Sequence, residues 1–413
     1  MRIEASSVKG FQDYLPPESL KRAAIRRIAE KYYALYGFVP VETPIIEFDE
    51  LMRPEINNSE EDEAIADRFK LKDKGGRNLG LRYEFTFQLS RIFKENPNIR
   101  LPFRRYQIDS VFRDEPIRKG RTRQFVQCDA DIIGDSSVDA EAECLSLMFD
   151  IFKELEIEAE VQINNRKLLN AIIASVEIES TKQVLRELDK IEKSGIDNVK
   201  AELRRFATAN QIITLFKILE KDISFFKENK FEGAEELDEL EKKCRLYGIK
   251  ARINTTMTRG FSYYTGNVFE FFTKNEKNAI AAGGRYDKTI GKYLYREIPA
   301  VGVSFSIEAL TELCAEAISK LKIPPYQKAI IISIGKEKEA ISLARKLRKE
   351  SISCTITKEK IGKAMEYANA INIPFVVFLG EEEISKNKIK LKDMSSGEEK
   401  VLSEKQLISK LKK

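Results

Sequence analysis

Strand-like, glycine-punctuated sequence fills Leu79 to Asp135, stops, and resumes only from Ile249 to Leu310. Between them, Arg166 to Tyr247 is Lys/Glu-rich at helical spacing, with few turn residues besides Gly195 and Gly233. Strands must lie side by side to bury their faces, so this texture calls for one antiparallel sheet domain with a helical insertion between two of its strands. Ser19 to Tyr36 repeats apolar positions at helical spacing and stops at Gly37, which reads as a long amphipathic helix. Phe38 to Glu47 alternates around Pro40 and Pro44 and reads as an edge strand, because proline cannot donate to an inner ladder. Val138 to Leu155 returns to helix.

Leu321-Lys-Ile-Pro-Pro-Tyr326 reads as a stiff extended spacer. Beyond it, Ala329 to Ile334, Ile352 to Ile356 and Phe375 to Leu379 are short buried-type strands, separated by helices over 337–350 and 359–371. That alternation predicts a small α/β domain with a largely parallel sheet. The expected class is therefore α+β, with a sheet domain in two parts (1–165 and 248–322), an insertion at 166–247 and a tail domain at 323–413.

The 413 residues, 42% hydrophobic and 33% charged, describe a soluble globular protein. No apolar run approaches the roughly 20 residues that span a bilayer, and no signal-peptide core follows Met1, so a cytoplasmic location without membrane attachment is expected. The five cysteines are far apart with no Cys-x-x-Cys pair, which points to reduced thiols. The net charge of +5 is uneven: residues from Tyr326 onward hold 19 Lys plus Arg against 12 Asp plus Glu, and the rest 52 against 54. A basic tail domain suits contact with a polyanion, as it also suits a solvated lysine face. The chain contains no histidine, so no imidazole of its own can be base, nucleophile or metal ligand.

Two stretches carry chemistry. Arg113-Asp-Glu-Pro-Ile-Arg-Lys-Gly-Arg-Thr-Arg-Gln-Phe-Val-Gln127 reads as strand, basic loop and returning strand. Such a hairpin sets the Arg113 fork beside Phe125 and Gln127, a pairing that suits a nucleotide: phosphate for the guanidinium, base for the ring. Arg259-Gly-Phe-Ser-Tyr-Tyr-Thr-Gly-Asn-Val-Phe-Glu270 sets a lone cation beside paired phenols at the mouth of a strand. Asp129 and Asp131, two apart on a strand, share a face and could also serve as metal ligands.

Together these segments resemble class II aminoacyl-tRNA synthetases. Phe103 through Gly134 resembles the second class II motif, and Arg123-Gln-Phe-Val-Gln-Cys-Asp-Ala-Asp131 is similar to the histidyl branch in its eukaryotic and archaeal style. Lys9-Gly-Phe-Gln-Asp-Tyr-Leu-Pro16 resembles that family's N-terminal signature, and Tyr36 to Pro44 the first class II motif, a dimer-interface helix and strand. Arg259 to Glu270 and Gly283-Gly-Arg-Tyr-Asp287 resemble the two histidyl-specific motifs, and the tail resembles the α/β anticodon-binding domain.

The resemblance implies a histidine–tRNA ligase, a homodimer that uses ATP and Mg2+ to charge tRNA(His) with histidine. It implies that Arg113 and Arg259 hold the α-phosphate, with Phe125 beneath adenine and Glu115 among the ATP-binding residues. Glu84, Thr86 and Gln127 would bind the amino group of the amino acid. Asp131 and Tyr264 would bind the substrate imidazole, with Tyr263 and Tyr286 lining the pocket. The basic residues Arg118, Lys119, Arg121 and Arg123 are the candidate contacts to the acceptor end of the tRNA. The resemblance assigns no metal ligand.

Three positions depart from the family's pattern. Ser306 stands where the third class II motif has glycine, Ala309 where it has its ATP-binding arginine, and Ser262 where aspartate is common between the glycine and the tyrosines. Those departures keep a second reading in play, a synthetase-like regulatory subunit of ATP phosphoribosyltransferase, although such paralogs usually lack the anticodon domain. A generic nucleic-acid-binding protein would explain the basic tail but not Glu84, Gln127, Asp131 and Tyr264 together.

Overall fold

The computed structural model describes residues 5–412 except 53–66, 259–262, 275, 322 and 324, and the side chain of Lys193. The chain folds as two compact units, Met1–Leu321 and Lys322–Lys413.

The first unit opens with helix α1 (Glu18–Leu35), which stops where Gly37 takes a left-handed φ of 77°. The segment read as one edge strand divides between two sheets. Strand β1 (Val39–Pro40) pairs in parallel at the edge of the main sheet, and β2 (Ile46–Phe48) joins β3 (Lys70–Lys72) and β4 (Asn78–Leu81) in a small three-stranded sheet. A helix, α2 (Thr86–Glu95), interrupts the stretch expected to be strands alone. Phe85, Leu89 and Phe93 recur every four residues and are all buried, which is the helical period that a strand reading overlooks.

The main sheet is built on two ten-residue strands, β5 (Phe103–Phe112) and β6 (Gln124–Ile133), paired antiparallel. Helix α3 (Val138–Glu154) and strand β7 (Ala159–Asn165) follow. Helices from Arg166–Ser175 to Ala234–Leu246 then occupy the Lys/Glu-rich stretch. Their apolar residues, including Leu168, Ile172, Leu215 and Leu237, share one buried core with sheet residues such as Ile163, Phe269 and Phe305. Strands β8 (Ala251–Ile253), β9 (Asn267–Thr273), β10 (Ala281–Arg285) and β11 (Ala300–Ser306) complete the sheet in the order β1-β5-β6-β11-β10-β9-β7-β8. The two strand-rich stretches, far apart in sequence, thus meet at the β6–β11 seam.

After β11 comes α4 (Ile307–Leu313), whose N-cap is Ser306: its hydroxyl accepts from the Ala309 N–H at 3.0 Å. Serine at this departure from the family pattern therefore has a local role, satisfying a backbone donor that glycine would leave to water. Replacing Ser306 with alanine is expected to cost about 1 kcal/mol of stability, measured as a lower urea midpoint for the first unit. An unchanged midpoint would remove this explanation.

The second unit alternates β12 (Ala329–Ser333), α5 (Glu337–Lys349), β13 (Cys354–Thr357), α6 (Ile361–Ala370) and β14 (Phe375–Leu379), with β13, β12 and β14 parallel. Two antiparallel strands that sequence periodicity did not mark, β15 (Ile389–Asp393) and β16 (Glu399–Leu402), extend the sheet. The charged sequence Lys390, Lys392, Glu398, Glu399 and Lys400 hides their alternation, since only Ile389 and Leu391 of β15 face the core. The five cysteines are free and buried, and no helix among the described residues is long and apolar enough to cross a membrane.

Candidate active site

The β5–β6 hairpin holds the basic loop as the sequence requires. Arg113 lies just past β5, where its backbone N–H donates to the Arg123 carbonyl at 2.8 Å. Its guanidinium sits over two rings, 4.3 Å from the centre of Tyr83 and 5.0 Å from that of Phe125. A planar cation held over aromatic rings has little rotamer freedom left to lose on binding an anion. Glu115 faces the same group, 4.0 Å from Arg113 and 3.4 Å from Arg121, and accepts from the Tyr83 hydroxyl at 3.2 Å.

Arg113, Glu115, Phe125, Gln127, Asp129, Asp131, Glu84, Thr86, Tyr263, Tyr264 and Tyr286 line one cavity of about 600 Å³. Strand alternation puts Gln127, Asp129 and Asp131 on the same face of β6, pointing into it. The Gln127 amide donates to Asp129 at 2.9 Å. Asp131 accepts from the Tyr286 hydroxyl and pairs with Arg105 at 2.7 Å. Glu84 caps the first turn of α2, accepting from the Phe87 N–H at 2.7 Å. Tyr263 packs against Tyr264 at 4.8 Å, Phe87 at 5.7 Å and Tyr286 at 5.9 Å between ring centres.

Burial is the largest electrostatic influence here. It pushes the Glu84 and Asp131 carboxyls up, opposed at Glu84 by bonds from Thr86 and Phe87 and at Asp131 by Arg105 and Tyr286. Asp129 is raised to about 7, by burial first and then by the neighbouring Asp131 charge. The folded protein therefore holds the Asp129 proton to a higher pH than the unfolded chain, whose aspartates titrate near pH 4. Stability from this group is complete below about pH 4 and is lost as pH rises to about 7. In urea unfolding at pH 5 and pH 8, Asp129→Asn is expected to lose less stability over the interval than the parent, by about 2 kcal/mol. Equal losses would show that Asp129 does not titrate in that window.

Arg105 was not anticipated from the sequence. It stands directly opposite Asp131 in the β5–β6 register and is fully buried, so the ion pair is a cross-strand pair. Gly302, opposite Asp131 on β11, was also missed: a Cβ there would lie 2.0 Å from the Asp131 carboxylate. At Gly284 a Cβ would lie 2.8 Å from the Tyr264 ring. These glycines let the carboxylate and the phenol lie flat across the strands.

Three of the four basic loop residues are engaged by carboxylates of the protein itself. Lys119 pairs with Glu276 at 2.6 Å, Arg121 with Glu115 at 3.4 Å and Arg123 with Asp114 at 3.1 Å. Arg118 is exposed and makes no ion pair among the described residues. Arg259 and Ser262 lie outside the described residues. Among the described residues no group of three or more Cys, Asp or Glu side chains is placed to hold a metal.

A model of the histidyl-tRNA synthetase family matches residues 10–310, and a model of an anticodon-binding domain matches 328–413. The chain belongs to the histidyl-tRNA synthetase family. It is 38% identical to histidine–tRNA ligase 1 of Bacillus cereus, over 96% of this chain and 95% of that protein. The crystal structure of histidyl-tRNA synthetase from Nostoc sp. PCC 7120 superposes with a TM-score of 0.86 at 26% identity, covering 100% of this chain and 99% of that one. A Bacillus halodurans protein described as an ATP phosphoribosyltransferase regulatory subunit/histidyl-tRNA synthetase superposes at 0.75 with 22% identity, over 92% of this chain and 99% of its own, which speaks to fold alone.

Proposed function

We propose that the chain is a histidine–tRNA ligase, an ATP-dependent aminoacyl-tRNA synthetase that activates histidine and transfers it to tRNA(His). One observation carries the reading beyond family membership. The cavity that holds Arg113 over Phe125 also holds a buried carboxylate and phenols suited to an imidazole.

In the first step the histidine carboxylate attacks the α-phosphorus, the bond to the bridging oxygen breaks, and pyrophosphate leaves. No protein nucleophile is needed; two anions must be brought together and the developing phosphoryl charge stabilised. Arg113 supplies that charge from one side and Arg259 is the candidate for the other. Phe125 supports adenine. Glu84, Thr86 and Gln127 orient the amino group, while Asp131 accepts from one imidazole nitrogen and Tyr264 serves the other. Tyr263 and Tyr286 pack around them. A substrate without both nitrogens would leave a buried partner unsatisfied, which is the basis of selection. Mg2+ supplied with the triphosphate would neutralise phosphate charge, and Glu115 is the carboxylate beside Arg113 that would help hold it.

In the second step the terminal ribose hydroxyl of tRNA attacks the carbonyl of the adenylate and AMP leaves. Arg118 and, once their protein partners yield to phosphate, Lys119, Arg121 and Arg123 meet the acceptor end. Lysines of the second unit meet the anticodon stem and loop. The exposed apolar residues Val39, Ile45, Ile46, Phe48 and Leu71, in and beside β1 to β3, support a homodimer. The altered third motif is what favours the regulatory-subunit reading. Aminoacylation assays with purified tRNAs separate the two: the ligase charges tRNA(His) and no other, whereas a regulatory subunit charges none.

A further inference from the structure

We propose that Lys277 supplies the cation for the terminal phosphates of ATP; this rests on the ATP-dependent reading above. Three linked phosphates carry several negative charges and need cations along their length. The wall formed by α4 offers none: its seven residues hold Glu308 and Glu312 and no basic side chain, and position 309 is alanine. Ala309 itself lines the cavity. The tip of the basic loop rests beside it, since a Cβ on Gly120 would lie 3.4 Å from Leu313 and 3.7 Å from the Ala309 Cα. The Gly120 N–H donates to Glu312 at 2.5 Å, which fixes the tip in place.

The loop cations that line the cavity are engaged, Lys119 with Glu276 and Arg121 with Glu115, and the unpaired Arg118 does not line it. Lys277 differs. It lies on the loop between β9 and β10, next to Glu276, and lines the same cavity as Arg113, Arg121 and Ala309. It is exposed and forms no ion pair among the described residues. The 2.6 Å Lys119–Glu276 bridge ties this loop to the basic loop, which keeps Lys277 beside the cavity it lines with no carboxylate to leave. An unpaired ammonium on a long stem loses no internal partner when it binds phosphate, whereas Arg121 must give one up.

The test measures the ATP KM in histidine-dependent pyrophosphate exchange for the parent, Lys277→Ala, Lys277→Arg and Arg121→Ala, together with direct binding of ATP and AMP by calorimetry. Lys277→Ala is expected to raise the KM for ATP roughly tenfold or more, as loss of a charge-assisted contact implies. Its AMP affinity should stay at the parent value, and Lys277→Arg should keep most of the ATP affinity. An ATP KM within twofold of the parent, or an equal weakening of AMP, would overturn the assignment. Absence of exchange in the parent would instead count against the ligase reading, and the ATP-against-AMP comparison would still decide Lys277.

Discussion

Arg113→Ala is expected to slow histidine-dependent pyrophosphate exchange by roughly 100- to 1000-fold, the usual effect of losing one preorganised donor at a developing charge. The side chain is held before substrate arrives, with Nε donating to the Tyr83 carbonyl at 3.3 Å and the guanidinium over Tyr83 and Phe125. Little reorganisation is left for the moment of reaction, so the loss should fall on kcat more than on the KM for histidine. Arg113→Lys should recover only part of the rate, because a point charge cannot stack or bind two oxygens. The residue is half-buried at the end of a strand, so its removal should leave the unfolding midpoint close to that of the parent. A variant within threefold of the parent rate would place the chemistry elsewhere.

Asp131→Ala should do two things at once. On the proposed reading, in which Asp131 accepts from the substrate imidazole, its removal would raise the KM for histidine roughly 10- to 150-fold. It also leaves Arg105, which is fully buried, without its counter-charge. Breaking one partner of a buried pair typically costs about 3–5 kcal/mol, visible as a lower urea midpoint. The double variant Arg105→Leu with Asp131→Ala separates the effects: stability should largely return, since no isolated charge remains, while histidine binding stays weak. Recovery of both would make the pair structural only.

The sequence carried most of this architecture because the information was local. Gly37 ends a helix, β6 alternates Gln127, Asp129 and Asp131 onto one face, and the Arg113–Phe125 juxtaposition follows from a hairpin. Helix α2 was missed because Phe85, Leu89 and Phe93 sit among strand-like neighbours, and β15 and β16 because their exposed faces are densely charged. Arg105 and Gly302 were missed for a different reason. Their importance comes from register with Asp131 on β5 and β11, and register across a basic loop or across the long helical insertion is not readable from spacing alone. Counting back from Arg113 and Arg123 along the hairpin could have found Arg105; nothing local marks Gly302. Ser306 departs from the motif in sequence, and its role as the cap of α4 depends on a backbone geometry that spacing does not show.

The most direct test of the central claim is amino-acid-dependent exchange of pyrophosphate into ATP by the full chain, with each of the twenty amino acids supplied separately. Exchange with histidine alone, lost on Arg113→Ala and on Arg259→Ala, is the predicted result and would make Ala309 a tolerated substitution. A folded protein that exchanges with no amino acid would contradict the account, and the altered third motif would then mark a regulatory relative that has given up catalysis.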